Sequence, residues 1–296
     1  MRIVLSGASG FLGTSLRSTL QAAGHELVQL VRGTPHSQSQ RQWDPYAADL
    51  DPAVLAGADA VVNLAGVPMA HVPWNDAYKQ KVLDSRVATT TTLANTIASL
   101  GGATALVNAS GINYYGADRG DEDLDEDSAP GTGFLADVCQ RWEAATSSAR
   151  DAGARVAVLR TAIVLDRSGG SFKLMSLPFR LGVGGRLSTG SQWFPTISLA
   201  DYISAVTRIV TDETMDGAFN VIAPAPATNA QFTSELGRQL HRPTVMVVPG
   251  FAVRAVAGDL GEAMLGSVKA APRRLLEAGF EFHHPSIADQ VHSALA

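Results

Sequence analysis

The stretch Ser6-Gly7-Ala8-Ser9-Gly10-Phe11-Leu12-Gly13 decides the fold of this chain. It places three glycines at the spacing G-x-x-G-x-x-G, after the apolar run Ile3 to Leu5 and before apolar residues at helical intervals up to Leu20. The first glycine allows a tight turn, the second lets backbone N–H groups approach a pyrophosphate, and the third lets the helix pack closely on the strand. We therefore predict a strand–turn–helix unit in which residues 7 to 13 contact a dinucleotide.

Strand and helix patterns alternate along the chain that follows. Glu26 to Val31 predicts a second strand, which completes a βαβ unit with the first strand and helix. Further strand patterns lie at 60–64, 105–109 and 156–160, and helical patterns at 74–100 and 134–150. Such alternation is typical of a parallel sheet covered on both faces, so we predict an α/β fold, a Rossmann-type doubly wound parallel sheet.

The alternation ends after about Leu165, where a glycine-rich stretch at 182–185 begins a different pattern. We predict that residues 1–165, with about 196–223, form an NAD(P)-binding Rossmann domain. Residues of about 166–195 and 224–296 are predicted to form a small discontinuous C-terminal substrate domain, a cap over the sheet edge where open α/β folds bind ligands. The acidic run Asp121–Asp127 lacks the ligand spacing of a cation loop, and we interpret it as a solvated loop.

Composition narrows the classes of partner. The formal net charge is −5 and no basic run exceeds the pair Arg273-Arg274, which argues against a nucleic-acid partner. The single cysteine, Cys139, excludes a disulfide framework, and the seven histidines show no ligand spacing, so no metal site is expected. The apolar run before Gly7 is too short for a signal segment or a membrane span, so we expect a cytoplasmic protein with no membrane partner.

Two further positions refine the cofactor prediction. The second strand ends at Arg32, where NAD-preferring proteins usually present an acid to the ribose 2′-hydroxyl. Arg32 is suited to the 2′-phosphate of NADP, a contact worth about 1.5–3 kcal/mol, so NADP(H) is preferred over NAD(H). Asn63-Leu64-Ala65-Gly66 ends the strand at 60–64 and is expected beside the adenine ribose and pyrophosphate. A solvated loop arginine and an ordinary strand-to-loop turn are the alternatives.

With these residues in place, the chain resembles the extended short-chain dehydrogenase/reductase superfamily, and more narrowly its epimerase-like branch of sugar-nucleotide epimerase family proteins. The matching motifs are the glycine turn, Asn63-Leu64-Ala65-Gly66, Asp84-Ser85-Arg86, Tyr114-Tyr115-Gly116, Arg141-Trp142-Glu143, Leu159-Arg160-Thr161, Arg180-Leu181-Gly182 and Ala271–Phe280. The resemblance covers essentially the whole chain. It implies an NAD(P)-binding Rossmann domain with a small substrate domain, and it adds Arg86 and Ser110 to the cofactor contacts.

The catalytic signature of that superfamily is missing. Its active members use a tyrosine four residues before a lysine, and the lysine lowers the tyrosine pKa so that the phenol can exchange a proton while hydride moves. Counting back from Glu143 puts Leu135 and Cys139 in these two positions. The position of the polarising serine falls on Gly111, with Ser110 one residue earlier. Ser110 is therefore a candidate catalytic hydroxyl, or else a strand-end serine bonded to backbone.

Two phenols remain as candidates for the missing tyrosine. Tyr114 and Tyr115 are the nearest, and Tyr115 precedes Arg119 by four residues, which imitates the tyrosine–cation spacing. We take Ser110, Tyr114 and Tyr115 as the candidate catalytic residues; aromatic packing beneath the nicotinamide is the alternative for the tyrosines.

The predicted cap offers candidate substrate contacts. Arg180 and Arg186 have the planar cation that binds carboxylates and phosphates, although surface arginines are common. The epimerase-like branch often carries Trp and His where this chain has Thr196 and Ser198, which removes a possible general acid.

Two hypotheses of different class follow. The first is an atypical NADP(H)-dependent oxidoreductase, epimerase-like, acting on a small carbonyl or hydroxyl compound or a nucleotide sugar. The second is a non-catalytic NADP(H)-binding regulatory or sensor protein whose partner binding depends on the cofactor. By analogy with the superfamily, the helical stretches 74–100 and 134–150 could pair in a homodimer.

Overall fold

The computed structural model describes residues 1–69 and 74–296, with the side chains in these ranges except those of residues 256, 257, 259 and 260. Its strands are β1 (Arg2–Ser6), β2 (Glu26–Val31), β3 (Gln40–Gln42), β4 (Ala60–Asn63), β5 (Ala105–Gly111), β6 (Asp123–Leu124), β7 (Val156–Thr161), β8 (Ile163–Leu165), β9 (Gly185–Leu187), β10 (Thr196–Ser198), β11 (Gly217–Val221), β12 (Met246–Val248) and β13 (Lys269–Ala270). Its α-helices are α1 (Phe11–Ala22), α2 (Asp76–Ser99), α3 (Phe134–Ala144), α4 (Ser147–Asp151), α5 (Gly170–Arg180), α6 (Leu199–Thr211), α7 (Asn229–Gln239), α8 (Gly250–Leu265), α9 (Arg273–Glu277) and α10 (Ile287–Leu295). Across the described ranges, no helix combines the length and the apolar character needed to cross a membrane.

A seven-stranded sheet forms the centre of the molecule, in the order β11-β7-β5-β4-β1-β2-β3. Every neighbouring pair in it is parallel. The predicted α/β fold with a doubly wound parallel sheet is therefore confirmed. Strand order reverses at β1, because β2 and β4 lie on its two sides, and open sheets of this kind bind ligands at that point.

The sequence patterns differ from the structure in detail. The edge strand β3 consists of the polar residues Gln40–Gln42, so it has no apolar alternation that could reveal it. The helical pattern predicted over 134–150 is two helices, α3 and α4, which are separated at Ala145 and Thr146.

The two faces of the sheet bury separate cores, as alternating side chains require. Ile3 and Leu5 of β1 pack with α1 and α6 on one face. Val4 of the same strand packs with Leu93 and Ile97 of α2 on the other. Each fully buried aliphatic side chain of this kind contributes about 1.5–3 kcal/mol to folding.

A third apolar cluster lies in the C-terminal half. Its buried members are Leu165, Phe172, Phe179, Phe194, Phe232, Leu236, Val291 and Ala294. The Phe232 ring is 5.0 Å from the Phe194 ring and 6.4 Å from those of Phe172 and Phe179, between centroids. Leu275, by contrast, belongs to the main core although it lies in the segment assigned to the cap. The proposed boundaries of the two domains stay a prediction.

The acidic run Asp121–Asp127 is solvated in part, as predicted, since Asp121, Glu122, Asp123 and Asp127 are exposed, but it also contacts the C-terminal segment. β6, inside the run, pairs with β13, and Lys269 binds Asp123 at 2.7 Å. Glu126 is buried, and its Oε1 accepts the Asn220 N–H at 3.0 Å. Burial raises the pKa of Glu126. The spacing of acidic residues in the sequence could not reveal this role, because the partners Asn220 and Lys269 lie far along the chain from the run.

Candidate functional site

The glycine turn between β1 and α1 is closed so tightly that two of its positions accept only glycine. Gly7 has φ +73°, and a β-carbon there would lie 2.7 Å from the Leu64 carbonyl atoms. A β-carbon on Gly13 would lie 2.1 Å from the Gly7 oxygen. The first turn of α1 contains no acidic residue, and its N-cap, Gly10, provides no side-chain acceptor. The N-terminal N–H groups and the helix dipole therefore face an open position suited to an anion.

The seven turn residues predicted to contact the cofactor differ in their exposure. Ser9 and Gly10 are exposed at the tip of the turn, whereas Ala8 and Gly13 are buried. Phe11 and Leu12 are half-buried and pack against the main core. Phe11 and Leu12 thus hold the helix in place, and the groups left for a phosphate are the backbone N–H groups and the hydroxyl of the exposed Ser9.

The neighbouring segment Leu64-Ala65-Gly66 lies directly against the glycine turn, through the Gly7 contact with Leu64. Asn63, predicted with it, has a different role. Its amide is fully buried, and it accepts from Ser6 Oγ at 2.6 Å and donates to Thr90 Oγ1 at 3.0 Å and Asn108 Oδ1 at 2.8 Å. These contacts, with a further one from the Ala65 N–H, occupy the amide, so Asn63 supports the crevice from beneath and does not reach into it.

Arg32 follows the last residue of β2, at the edge of the same crevice. Its side chain is exposed and makes no hydrogen bond or ion pair with any described residue. Its guanidinium is therefore available to an external anion.

Arg86 on α2 forms part of the crevice wall. It is 7% exposed, and its guanidinium donates to the carbonyls of Val82 at 3.0 Å and Val67 at 3.3 Å. A β-carbon on Gly66 would lie 3.4 Å from its Cζ atom. Burial lowers the pKa of Arg86. Ser85 also holds this segment against α2, because its Oγ accepts the Val67 N–H at 3.2 Å.

The two positions of the missing tyrosine and lysine lie one turn apart on α3. Leu135 lines a cleft of about 550 Å³, together with Glu262 and Ala263 of α8. Cys139 is buried, and a β-carbon on Gly111 would lie 3.5 Å from its Sγ atom. Burial raises the pKa of the Cys139 thiol to about 12, so the thiol is neutral at physiological pH. The cleft has the size of a small-molecule site, but the tyrosine–lysine chemistry is absent from it.

Ser110 belongs to a charged network that sequence reasoning missed. Its Oγ donates to Glu143 Oε1 at 2.8 Å. The same carboxylate pairs with Arg160 at 3.1 Å through Nε and 3.0 Å through Nη2, and both side chains are nearly buried. Ser110 on β5 stands directly opposite Arg160 on β7, so a correct strand register would have brought the two together. The alternative prediction for Ser110, a strand-end serine bonded to backbone, is therefore wrong, because its hydroxyl bonds to a side chain.

Tyr115 does not occupy the place predicted for a catalytic phenol. It is fully buried, and its hydroxyl lies 2.7 Å from the Asp125 oxygen and 2.8 Å from Asn220 Oδ1. Burial raises its pKa to about 12. The expected pairing with Arg119 is also wrong, because the Arg119 guanidinium binds Glu122 at 2.7 Å and reaches only the backbone oxygen of Tyr115. Tyr115 therefore stabilises the fold.

Tyr114 is placed differently from its neighbour. It is half-buried, and Cζ of Arg160 lies 3.4 Å from its ring centroid. Its ring meets that of Tyr115 edge-on, with 5.4 Å between centroids. Its hydroxyl has no hydrogen-bond partner in the part of the chain that the structure describes, so this phenol is the freer of the two.

The candidate substrate arginines lie on the surface of the C-terminal half. Arg180 ends α5 and Arg186 lies on β9, both exposed and both without an ion pair to any described side chain. Ser198 has a structural role: it caps α6 by accepting the Asp201 N–H at 3.0 Å and contacts His284 Nδ1 at 3.0 Å. Thr196 is buried in β10.

Taken together, the sheet order, the closed glycine turn and the free helix N-terminus define a Rossmann-type dinucleotide-binding protein. A model of the NAD dependent epimerase/dehydratase family matches residues 3–221, and a domain of unknown function (DUF1731) matches residues 248–293. The chain belongs to the NAD dependent epimerase/dehydratase family, as its motifs predicted.

Named relatives agree with this placement. The chain is 41% identical to an epimerase family protein of Mycobacterium bovis, Mb2239, over 97% of this chain and 95% of that one. It is 36% identical to human epimerase family protein SDR39U1 over the whole of both chains. Its fold is similar to a crystal structure of human SDR39U1 isoform 2 with NADPH, with a TM-score of 0.89 and 33% identity over 99% of each chain. A nucleoside-diphosphate sugar epimerase from Corynebacterium glutamicum matches all of this chain and 58% of its own, with a TM-score of 0.83 and 34% identity.

Proposed function

We propose that this protein binds NADP(H) and acts as an atypical, epimerase-like oxidoreductase on a small carbonyl or hydroxyl compound or a nucleotide sugar. The observation that carries the proposal is the closed glycine turn with the unpaired Arg32 at the end of the next strand. The NADPH in the crystal structure of human SDR39U1 supports the choice of cofactor.

The residues present fit the dinucleotide. Backbone N–H groups at the start of α1 would hold the pyrophosphate, because no side chain competes for them. Arg32 would bind the 2′-phosphate, and Leu64 to Gly66 would flank the same crevice. The bound nicotinamide supplies hydride transfer; the chain supplies orientation and the handling of a proton.

Proton exchange would fall to Ser110 and Tyr114. Leu135 has no proton to exchange, and the Tyr115 hydroxyl is fully engaged in the core. Ser110 donates to Glu143, whose charge Arg160 balances, so its hydroxyl is held in one orientation. The ring of Tyr114 stacks on the guanidinium of the same arginine, and its hydroxyl is left without a hydrogen bond to any described residue. Tyr114 therefore offers the free O–H donor that a carbonyl oxygen requires, whereas Ser110, whose proton is held by Glu143, would exchange that proton only with the carboxylate.

The charge of the C-terminal surface favours an anionic substrate. Residues 170–188 and 241–254 contain the cations Lys173, Arg180, Arg186, Arg242 and Arg254 and no Asp or Glu, in a chain of net charge −5. Pairing of β9 with β12 brings the two segments together. Arg180 and Arg186 would then bind a carboxylate or phosphate of the substrate.

One contact favours the second candidate function, a cofactor-dependent sensor. A β-carbon on Gly169 would lie 2.5 Å from the Phe11 ring, so the start of α5 rests on the glycine turn itself. A cofactor bound at that turn could thereby change the position of α5. This coupling needs no catalysis, and it agrees with the loss of the tyrosine–lysine pair.

Calorimetric titration with NADPH, NADP, NADH and NAD tests the binding proposal. We expect the 2′-phosphorylated pair to bind more tightly than the other two. Gly13→Ala should abolish binding of all four, because its methyl group would overlap the Gly7 oxygen, whereas Ser18→Ala on the exposed side of α1 should change nothing. Absence of binding to the wild-type chain would contradict both candidate functions.

Enzyme and sensor differ in turnover. An enzyme should oxidise NADPH in the presence of a panel of anionic aldehydes, ketones and nucleotide-sugar ketones. Ser110→Ala or Tyr114→Phe should reduce the rate of this oxidation. The control variant Tyr46→Phe, on an exposed loop, should leave the rate unchanged. No turnover by a protein that binds NADPH tightly would favour the sensor.

A further inference from the structure

Exposed apolar side chains are concentrated around strand β12. Of the eleven large apolar side chains that are exposed in the described part of the chain, eight lie in residues 174–183 and 245–251. Val245, directly before β12, is 84% exposed, and Phe251, at the start of α8, is 74% exposed. Single exposed apolar residues are ordinary on a protein surface, whereas a concentration of this kind marks an interaction site.

Pairing between β9 and β12 brings the two apolar segments together. Gly185 pairs with Met246 and Arg186 with Val247, so the two strands run side by side and parallel. The loop that joins α5 to β9 carries the exposed Leu181 and enters β9 beside the start of β12. The apolar residues of both segments therefore meet at one small sheet.

One side of β12 is open. β9 and β12 form a sheet of two strands, and the other side of β9 is covered by α7, whose Asn229 Oδ1 accepts the Leu187 N–H at 2.8 Å. Among residues 1–69 and 74–296, no further strand pairs with β12. An open strand edge presents unpaired N–H and C=O groups, and a sheet of two strands is only marginally stable by itself. The backbone of β12 can therefore accept a third strand.

The composition of β12 differs from that of an edge strand that stays free. Proteins usually protect open edges with charged or polar side chains. β3, an edge of the central sheet, follows this rule with Gln40–Gln42. β12 consists of Met246, Val247 and Val248, which are apolar, and the first two are exposed. Two of the three are β-branched, which favours strand pairing, so this edge is suited to a strand from another chain.

Cations flank the open edge at both ends. Arg242 precedes β12 and Arg254 follows it in α8; both are exposed, and neither forms an ion pair with a described side chain. A β-carbon on Gly250 would lie 3.7 Å from Arg254 Nη1, so this guanidinium is turned back toward the end of β12. Residues 241–254 contain no Asp or Glu. Electrostatic complementarity therefore favours negative charge on the segment that covers this edge.

We propose that β12 is the docking strand for an extended acidic segment of a partner protein, which pairs with its open edge as a third strand. Main-chain hydrogen bonds along β12 supply affinity in this mode of recognition, and the side chains supply specificity. Val245 and Val247 contact apolar residues of the partner, and Arg242 and Arg254 bind its carboxylates. The site uses no residue of the dinucleotide crevice, so it does not depend on the proposed function.

Two other occupants fit the edge less well. A lipid surface cannot satisfy the N–H and C=O groups of an open strand edge, which are costly to bury in hydrocarbon. A second copy of the chain that pairs its own β12 with this one would bring the cations of both chains together, with no carboxylate between them. An acidic extended segment satisfies both the backbone groups and the charge.

Fluorescence polarisation tests the proposal on the full chain. The probe is a fluorescein-labelled octapeptide, Glu-Asp-Val-Thr-Val-Thr-Asp-Glu, with apolar and β-branched residues between acidic ends. One control peptide is N-methylated at its four central residues, which removes their N–H donors. A second control peptide has lysine in place of the four acidic residues. Unfolding temperatures of all protein variants are measured alongside, so that a loss of fold is recognised.

Two double variants change the edge without touching a buried side chain. Arg242→Glu with Arg254→Glu reverses the flanking charge and should weaken the acidic peptide about tenfold. Val245→Thr with Val247→Thr keeps the β-branched shape, removes apolar contact and should weaken it several-fold. Arg41→Glu on the polar edge strand β3 is the matched control and should bind as the wild type does. If one double variant fails to fold, the other decides.

The proposal expects the acidic peptide to bind and both control peptides to fail. It is overturned if the acidic peptide does not bind at millimolar concentration, if the N-methylated or the lysine peptide binds equally well, or if Arg41→Glu weakens binding as much as the double variants do. Light scattering and sedimentation with phosphatidylglycerol vesicles examine the other occupants. A dimer that Val245→Thr with Val247→Thr dissociates, or vesicle binding that Arg242→Glu with Arg254→Glu abolishes, would assign the edge to a second copy or to a membrane and overturn the proposal.

Discussion

Replacing Glu143 by Leu removes the charge that holds the Ser110 network together. Glu143 binds Arg160 through two oxygens at about 3 Å, and the side chains are 15% and 6% exposed. The substitution leaves the guanidinium buried with two acceptors, the Tyr115 hydroxyl and the Glu126 oxygen, each at 3.0 Å. Breaking a buried ion pair from one side costs about 3–5 kcal/mol. For a chain of this size that corresponds to a fall in Tm of roughly 10 °C.

Urea denaturation followed by tryptophan fluorescence measures this loss. The double variant Glu143→Leu with Arg160→Met should recover much of the stability, because a buried pair exchanged for apolar residues of similar volume is often neutral. Asp137→Ala on the same helix is the matched control: its pair with Arg141 is half exposed and worth about 0.3–0.5 kcal/mol. A Glu143→Leu variant within about 1 kcal/mol of wild type, or a double variant no better than the sum of the singles, would refute the account of the network.

Three further predictions concern other parts of the molecule. Burial raises the pKa of Glu126, so its contribution to stability is present below the ordinary carboxyl pKa and is lost as pH rises through the raised pKa; Glu126→Gln should remove this slope from a plot of Tm against pH, and an unchanged slope would contradict the assignment. Cys139, whose pKa is raised to about 12, should resist thiol reagents at pH 8 until urea unfolds the chain; rapid native-state labelling would show that the buried thiol opens readily. Gly169→Ala should displace the Phe11 ring and weaken NADPH binding in a titration, and an unaltered affinity would argue against coupling between α5 and the glycine turn.

The sequence predicts the fold and the cofactor crevice because their signals are local. Gly7, Gly10 and Gly13 lie within one turn, between a strand and a helix that the apolar spacing reveals. The position of Arg32 at the crevice is predicted in the same way, because it directly follows the next strand. Each of these residues lies where its neighbours in sequence place it.

The rest of the candidate site depends on contacts that spacing does not encode. Tyr115 looked catalytic from its distance to Arg119 along the chain, yet its hydroxyl meets Asn220, 105 residues away, in the core. The Ser110–Glu143 contact joins a strand to a helix 33 residues later. Whether a polar side chain faces a crevice or a core is decided by register and helix rotation, which a one-residue shift reverses.

The selectivity for NADPH that we propose for Arg32 tests the central claim most directly. We would measure the ratio of the Kd values for NADH and NADPH in the wild type and in Arg32→Ala, with the exposed Arg41→Ala on β3 as control. The account predicts that the wild type prefers NADPH, that Arg32→Ala weakens NADPH about tenfold or more while NADH stays unchanged, and that Arg41→Ala behaves as wild type. Equal affinities for NADPH and NADH in the wild type, or a preference that survives in Arg32→Ala, would contradict it.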